Sequence, residues 1–170
     1  MRDNTEGGVV SFIDPSLADD FWKDRNRVQG YFENYGANNI QHYLMTTQEF
    51  VESHEYQALD NLGIVFIDGL HTEEQVHFDY EAFECKISEN GLFLFHDSIS
   101  IYKSRGRRLY SPEQSYERRV KYFIDKLKLN PQLQVLDFPF AKGLTLVRNI
   151  GTKTADLIGD INGIKEKNNF

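Results

Sequence analysis

Short apolar runs that end abruptly in polar residues alternate with helix-like stretches along most of this chain, and that alternation restricts it to an α/β sheet fold. Val9 to Ile13 (VVSFI) stops at Asp14-Pro15, and Ile40 to Met45 stops at Thr46-Thr47. Ile64 to Ile67 (IVFI) runs into Asp68-Gly69-Leu70-His71, and Leu92 to Phe95 (LFLF) runs into His96-Asp97. Each run reads as a strand. The third is continuous and β-branched, the pattern of a strand buried on both faces.

The intervening segments carry helical signals. From about Leu17 to Tyr35, Val28, Phe32 and Tyr35 recur at helical spacing before Gly36. Thr46 with Glu49 forms a capping box, and Thr72 with Gln75 forms another. The second box opens a helix whose Val76, Tyr80, Phe83 and Ile87 share one face; Cys85 in this pattern reads as a packed thiol. Asn90-Gly91 reads as the turn into the fourth strand. A polar, basic loop from Ser98 to Tyr110 follows, and Ser111-Pro112-Glu113-Gln114 starts a helix that runs to about Leu129. Leu133–Phe138 and Leu144–Arg148 flank Ala141-Lys142-Gly143 as a closing antiparallel hairpin. Residues 1–150 are expected to form one domain and 151–170 a polar tail.

Composition bounds the function. A length of 170 residues with 40% hydrophobic side chains suits a single core. The net charge of -7 argues against a dedicated nucleic-acid binder, whose affinity comes from neutralising phosphates. One cysteine excludes an internal disulfide, and no apolar run approaches the roughly 20 residues needed to span a bilayer. A cytoplasmic setting without a membrane or nucleic-acid partner is expected.

Ligands in open α/β sheets bind beyond the carboxyl ends of the strands. Asp14, Thr46-Thr47, Asp68 with His71, and His96-Asp97 all sit at such ends. Asp68 and Asp97 come from consecutive strands, and two facing carboxylates repel unless a proton or cation lies between them. Oxygen ligands suit magnesium; His96 adds a nitrogen that suits manganese or another transition ion. His71 offers an imidazole that can take a proton from a hydroxyl. Taken singly, each Asp also reads as a turn former and each His as a helix-entry or packed residue. The combination favours chemistry, because Thr72 already supplies the cap. Asp14 is placed to accept from ribose hydroxyls, or simply forms an Asp-Pro turn. Lys103, Arg105, Arg107 and Arg108 form a basic cluster that reads as a solvated loop, or as a lid recognising an anionic group. His42, His54 and His77 read as surface or packing residues.

In this order, VVSFIDPS, LMTTQEF, IVFIDGLHTEEQVHFDYEAF and GLFLFHDS resemble the class I S-adenosylmethionine-dependent methyltransferases. The likeness is to the metal-dependent sugar and small-molecule O-methyltransferase branch, related to cephalosporin hydroxylase-like proteins, over residues 8–148. The resemblance implies a Rossmann-like, mostly parallel sheet closed by the antiparallel hairpin. It implies S-adenosylmethionine bound by Asp14 at the ribose and by Thr46, Thr47 and Gln48 near the adenine. It also implies a divalent metal, Mg2+ or another, on Asp68, His96 and Asp97, with His71 as general base and a small-molecule hydroxyl as acceptor. The family begins with a strand and a glycine-rich turn, whereas this chain starts at what resembles the second strand. The expectation is therefore an N-terminally incomplete sheet that binds the cofactor weakly. It should self-associate as a homo-oligomer unless the strand at Val9 pairs with Ile64–Ile67. The alternatives are a non-catalytic truncated domain of this kind and, less favoured, a metal-dependent phosphohydrolase.

Overall fold

A computed structural model of the chain describes residues 7–16, 20–100, 102–103 and 117–151. They fall into two compact units, the first ending at Leu59 and the second beginning at Asp60.

In the first unit, β1 (Val10–Ile13) and β2 (Ile40–Tyr43) pair in parallel, Val10 opposite Ile40 and Ile13 opposite Tyr43. Parallel neighbours need a crossover, and α1 (Arg25–Glu33) supplies it. The helix begins later than the spacing from Leu17 predicts. The Asp24 carboxylate accepts from the backbone N–H groups of Asn26 and Arg27 and so sets the first turn. Helix α2 (Thr47–Val51) opens with the complete Thr46–Glu49 capping box, and α3 (His54–Ala58) follows from a Ser53 cap. Phe50 is fully buried, with its ring 4.9 Å from that of Tyr43.

His42 lies against Phe12, ring centroids 5.1 Å apart, and both of its ring nitrogens are shielded without a hydrogen-bond partner. Burial holds its pKa below the ordinary imidazole range; Asp14 opposes this and Arg25 adds to it. As pH falls through about 6.5 the unfolded chain therefore takes up this proton first, and stability is lost on the acid side of the ordinary imidazole range. His42→Phe keeps a ring and removes both nitrogens. It should gain about 1 kcal/mol and flatten that pH window. Urea unfolding at two pH values on either side of the imidazole range measures both effects, and an unchanged slope would exclude this role for His42.

The second unit is a four-stranded sheet. Its order is β3 (Leu62–Ile67), β4 (Ile87–His96), β8 (Leu144–Asn149) and β7 (Leu133–Phe138). β3 and β4 are parallel, joined through α4 (Glu73–Glu84), and β8 runs antiparallel to both of its neighbours. A short ladder, β5 (Tyr102–Lys103) with β6 (Glu117–Arg118), precedes α5 (Val120–Leu127). The closing hairpin stands as the sequence predicts, Phe138 opposite Leu144. The helix expected from Ser111 differs: residues 111–114 lie outside those described, 117–118 are strand, and helix begins at Val120. The side chains of Lys103, Arg105, Arg107 and Arg108 and residues 152–170 of the expected tail also lie outside the described residues.

Among the described residues of this unit, helices cover one face of the sheet. Phe95 is fully buried beneath Tyr80 of α4 and Phe123 of α5, ring centroids 6.3 and 5.9 Å away, with Ile67, Phe93 and Val147 on the same face. On the opposite face Ile64, Phe66, Leu136 and Phe138 are between 40% and 63% exposed. The expectation that Ile64–Ile67 is buried on both faces is thus overturned, because both helices that pack here lie on one side.

Three further local readings change. β4 runs straight through Asn90-Gly91, and Ile87 belongs to it and not to α4. Between the pairs Leu62–Ile87 and Ile64–Leu92, β3 advances two residues and β4 five, so residues 88–91 bulge out of the ladder. A Cβ on Gly91 would sit 2.6 Å from the Leu62 carbonyl oxygen, so glycine is needed for this close approach. Cys85 is exposed, because α4 ends one residue earlier and leaves it outside the buried stripe. The Thr72 hydroxyl accepts from the Gln75 N–H, while the Gln75 amide donates to Asp79.

The one-sided burial has a measurable consequence. Phe95→Ala should cost about 3–5 kcal/mol of stability, and Phe66→Ala less than about 1 kcal/mol. Denaturant unfolding of the two variants checks this, and comparable losses would mean that the Phe66 face is covered in solution.

Candidate active site

The parallel register of β3 and β4 places Ile67 opposite Phe95, so Asp68 and His96 leave the sheet side by side. Asp68 Oδ1 lies 2.8 Å from His96 Nδ1 and 3.1 Å from His71 Nε2. His71 enters from the loop just before the Thr72 cap, and its carbonyl accepts from the Arg119 N–H at 2.8 Å. It is 5% exposed, and its Nδ1 lies 3.5 Å from Asp97 Oδ2. The other Asp97 oxygen lies 3.5 Å from His96 Nδ1.

Asp97 owes its position to a bulge. His96 pairs with Leu144, and the Ser98 N–H already donates to Gly143, one residue back along β8. Asp97 is therefore an extra residue in its strand, with φ of 53°. That left-handed conformation is rare for side chains other than glycine, Asn and Asp. Regular alternation would send adjacent side chains to opposite faces. The bulge lets His96 reach Asp68 while Asp97 reaches His71.

Two residues flank this corner from β7 and β8. Thr145 Oγ1 lies 2.7 Å from both Ser98 Oγ and Asp137 Oδ1. A carboxylate only accepts, so Thr145 donates to Asp137 and takes the Ser98 proton. Asp137 Oδ2 accepts from Lys128 at 2.6 Å. Burial pushes the Asp137 carboxyl up, but Lys128 and Thr145 together hold it below its ordinary range. Gly143 stood in the sequence only as part of the hairpin turn, and nothing in the spacing marked Ser98, Asp137 or Thr145 as part of this corner; the one trace is a threonine between the apolar Leu144 and Leu146.

Asp68 Oδ1, His71 Nε2 and His96 Nδ1 lie within 4.8 Å of one another. The two shorter separations match the ~3 Å edge expected between ligands that each lie ~2.1 Å from a common ion. Two imidazole nitrogens and one carboxylate oxygen suit a first-row transition ion better than magnesium. The metal set expected from the sequence, Asp68, His96 and Asp97, is thus divided. Asp68 and His96 converge as expected, whereas Asp97 falls outside the trio and His71 falls within it.

In the first unit, Asp14 and Thr46–Gln48 follow the carboxyl ends of parallel β1 and β2. Asp14 Oδ1 accepts from the Ser16 N–H at 2.7 Å. The Thr46 hydroxyl is committed to the cap: it accepts from the Glu49 N–H and donates to the Glu49 carboxylate. Bonds from the Thr46 backbone and side chain hold that carboxyl below its ordinary pKa. Gln48 is exposed and Thr47 half-buried.

Among the described residues no helix is long and apolar enough to cross a membrane. No curated protein matches the sequence. Solved structures share the fold. A protein from Corynebacterium glutamicum aligns with a TM-score of 0.56 and 15% identity, over 83% of this chain and 60% of its own. A methyltransferase from Geobacter sulfurreducens aligns with a TM-score of 0.52 and 13% identity, over 85% of this chain and 60% of its own. This chain therefore spans about 60% of the length of the solved structures it resembles. At the sequence level, residues 1–98, more than half of the chain, match the model of a family described as a methyltransferase domain. With a mixed α/β sheet, polar groups at its strand ends and that match, the chain belongs to the methyltransferase domain family.

Proposed function

We propose that this chain acts in an S-adenosylmethionine-dependent O-methyltransferase whose acceptor is a hydroxyl of a small molecule or sugar. The observation that carries the reading is the convergence of Asp68, His71, His96 and Asp97 beyond two adjacent parallel strands in a chain of this family. Asp97, 1% exposed, faces His71 Nδ1 and so favours the tautomer with its proton there. His71 Nε2 then presents its lone pair toward the side of Asp68. An acceptor hydroxyl entering beside Asp68 gives its proton to His71 Nε2 as its oxygen attacks the methyl carbon. Bound S-adenosylmethionine would supply the methyl group and the sulfur leaving group, giving S-adenosylhomocysteine. A divalent cation held by Asp68 and His96 makes that hydroxyl more acidic when bound. Asp14 would take the ribose hydroxyls, and Thr46, Thr47 and Gln48 the adenine side; Thr46 contributes backbone and methyl group, since its hydroxyl serves the cap.

A second reading makes His71 a third metal ligand, because its Nε2 lies within 4.8 Å of the Asp68 and His96 ligand atoms. Isothermal titration with Mn2+, Mg2+ and S-adenosylmethionine, paired with turnover, separates the two. Asp68→Asn should abolish metal binding and leave the fold intact. His71→Ala should keep metal and cofactor affinity and lower turnover by ~10²–10⁴. Loss of metal affinity in His71→Ala would transfer His71 to the ligand set. A wild-type chain that takes up neither metal nor cofactor would leave only the non-catalytic alternative.

A further inference from the structure

We propose that Thr145 is a positioning residue for the Asp97–His71 pair, acting through Ser98 across the bulge at the end of β4. The inference rests on reading Asp68, His71, His96 and Asp97 as the functional cluster.

Thr145 is fully buried on β8 opposite Phe95. A buried hydroxyl costs stability unless it is satisfied, and this one is satisfied on both sides. It accepts from Ser98, itself 1% exposed, and donates to Asp137. Lys128 fixes Asp137 from the end of α5. Four groups thus form one hydrogen-bonded line from the surface to the residue that follows Asp97.

Backbone bonds hold the same corner. Beyond the bulge, Ser98 and Ile99 donate to Gly143 and Lys142 at 3.3 and 3.2 Å, at the long end of backbone bonding. The Ser98–Thr145 contact is the shorter one, at 2.7 Å. The hairpin can approach this closely only because residue 143 is glycine. Its φ is +103°, and a Cβ there would lie 2.7 Å from Ile99 N and 2.5 Å from Ile99 Cγ1. The bulged residue must keep its left-handed conformation for Asp97 to face His71, and the Ser98 side chain anchors the residue immediately after it. The β7–β8 hairpin therefore does more than close the sheet: it sets the angle of the carboxylate that orients His71.

The test uses the full chain without metal. Nitrogen NMR of the His71 and His96 imidazoles reports which ring nitrogen carries the proton and how each is hydrogen-bonded. Thr145→Val, which keeps the β-branched shape and deletes the hydroxyl, should shift the His71 Nδ1 resonance. Thr145→Ser should restore the wild-type position. Should Thr145→Val fail to fold, Ser98→Ala deletes the same bond from the other side and should give the same shift. Unchanged His71 resonances in a folded Thr145→Val or Ser98→Ala protein would overturn the proposal, as would failure of Thr145→Ser to restore them. Titration of the wild type with Mn2+ separately decides the metal reading. Where His71 is a third ligand, Thr145→Val should weaken Mn2+ binding by about 10–100-fold, the usual effect of removing a residue behind a ligand; where Asp68 and His96 alone hold the ion, that affinity should not change.

Discussion

With Ile67 held opposite Phe95 in a parallel ladder, the next residue of each strand leaves the sheet at the same edge, about one strand spacing (~4.8 Å) apart. Those residues are Asp68 and His96, and every polar contact of the candidate site follows from their adjacency. His71 meets the same Asp68 oxygen because only Gly69 and Leu70 separate the two residues, and Asp97 meets His71 because the bulge turns it there. A shift of one residue between β3 and β4 would send Asp68 or His96 to the other face and dissolve the cluster. Phe95 guards against such a slip, since it is fully buried between two helices and has no comparable place on the opposite face.

The second unit is asymmetric in its burial, and the asymmetry separates structure from chemistry. One face carries Ile67, Phe93, Phe95 and Val147 under α4 and α5, and it supplies the hydrophobic stabilisation. The same face carries Thr145, the polar residue that ties the sheet to the strand-end corner. Its opposite face keeps large apolar side chains in water, and Phe66 there lies beside the His96 ring at 6.5 Å. Rigidity therefore reaches the cluster from the covered side, while the exposed Asp68 and half-buried His96 face the side open to an entering molecule.

Much of this was legible from residue order alone. The four strand ends, the Thr46–Glu49 box, the Thr72 cap and the closing hairpin depend on contacts a few residues long, or on apolar runs whose length admits few alternatives. The failures share a cause. Asn90-Gly91 has turn chemistry, yet it lies within β4, in the bulge where a side chain at 91 would meet the Leu62 carbonyl oxygen. Ile64–Ile67 has the composition of a doubly buried strand, yet it is covered on one side. Cys85 follows the helical stripe in sequence and falls off it in space, because α4 ends before it. In each case the position taken up in the fold, and not the local pattern, decided the outcome.

Residue order suffices to say which groups arrive at the strand ends, because strand length and the polar residue after each apolar run are local properties. The order of those motifs suffices for the family as well. How the groups stand relative to one another was decided only by the folded arrangement. That Asp97 stands behind His71 and not beside Asp68 depends on one inserted residue in the β4–β8 pairing. That insertion is held by a glycine and a threonine more than 40 residues downstream. Registry between distant strands is a collective outcome of packing, and no local pattern encodes the left-handed turn it imposes on an aspartate.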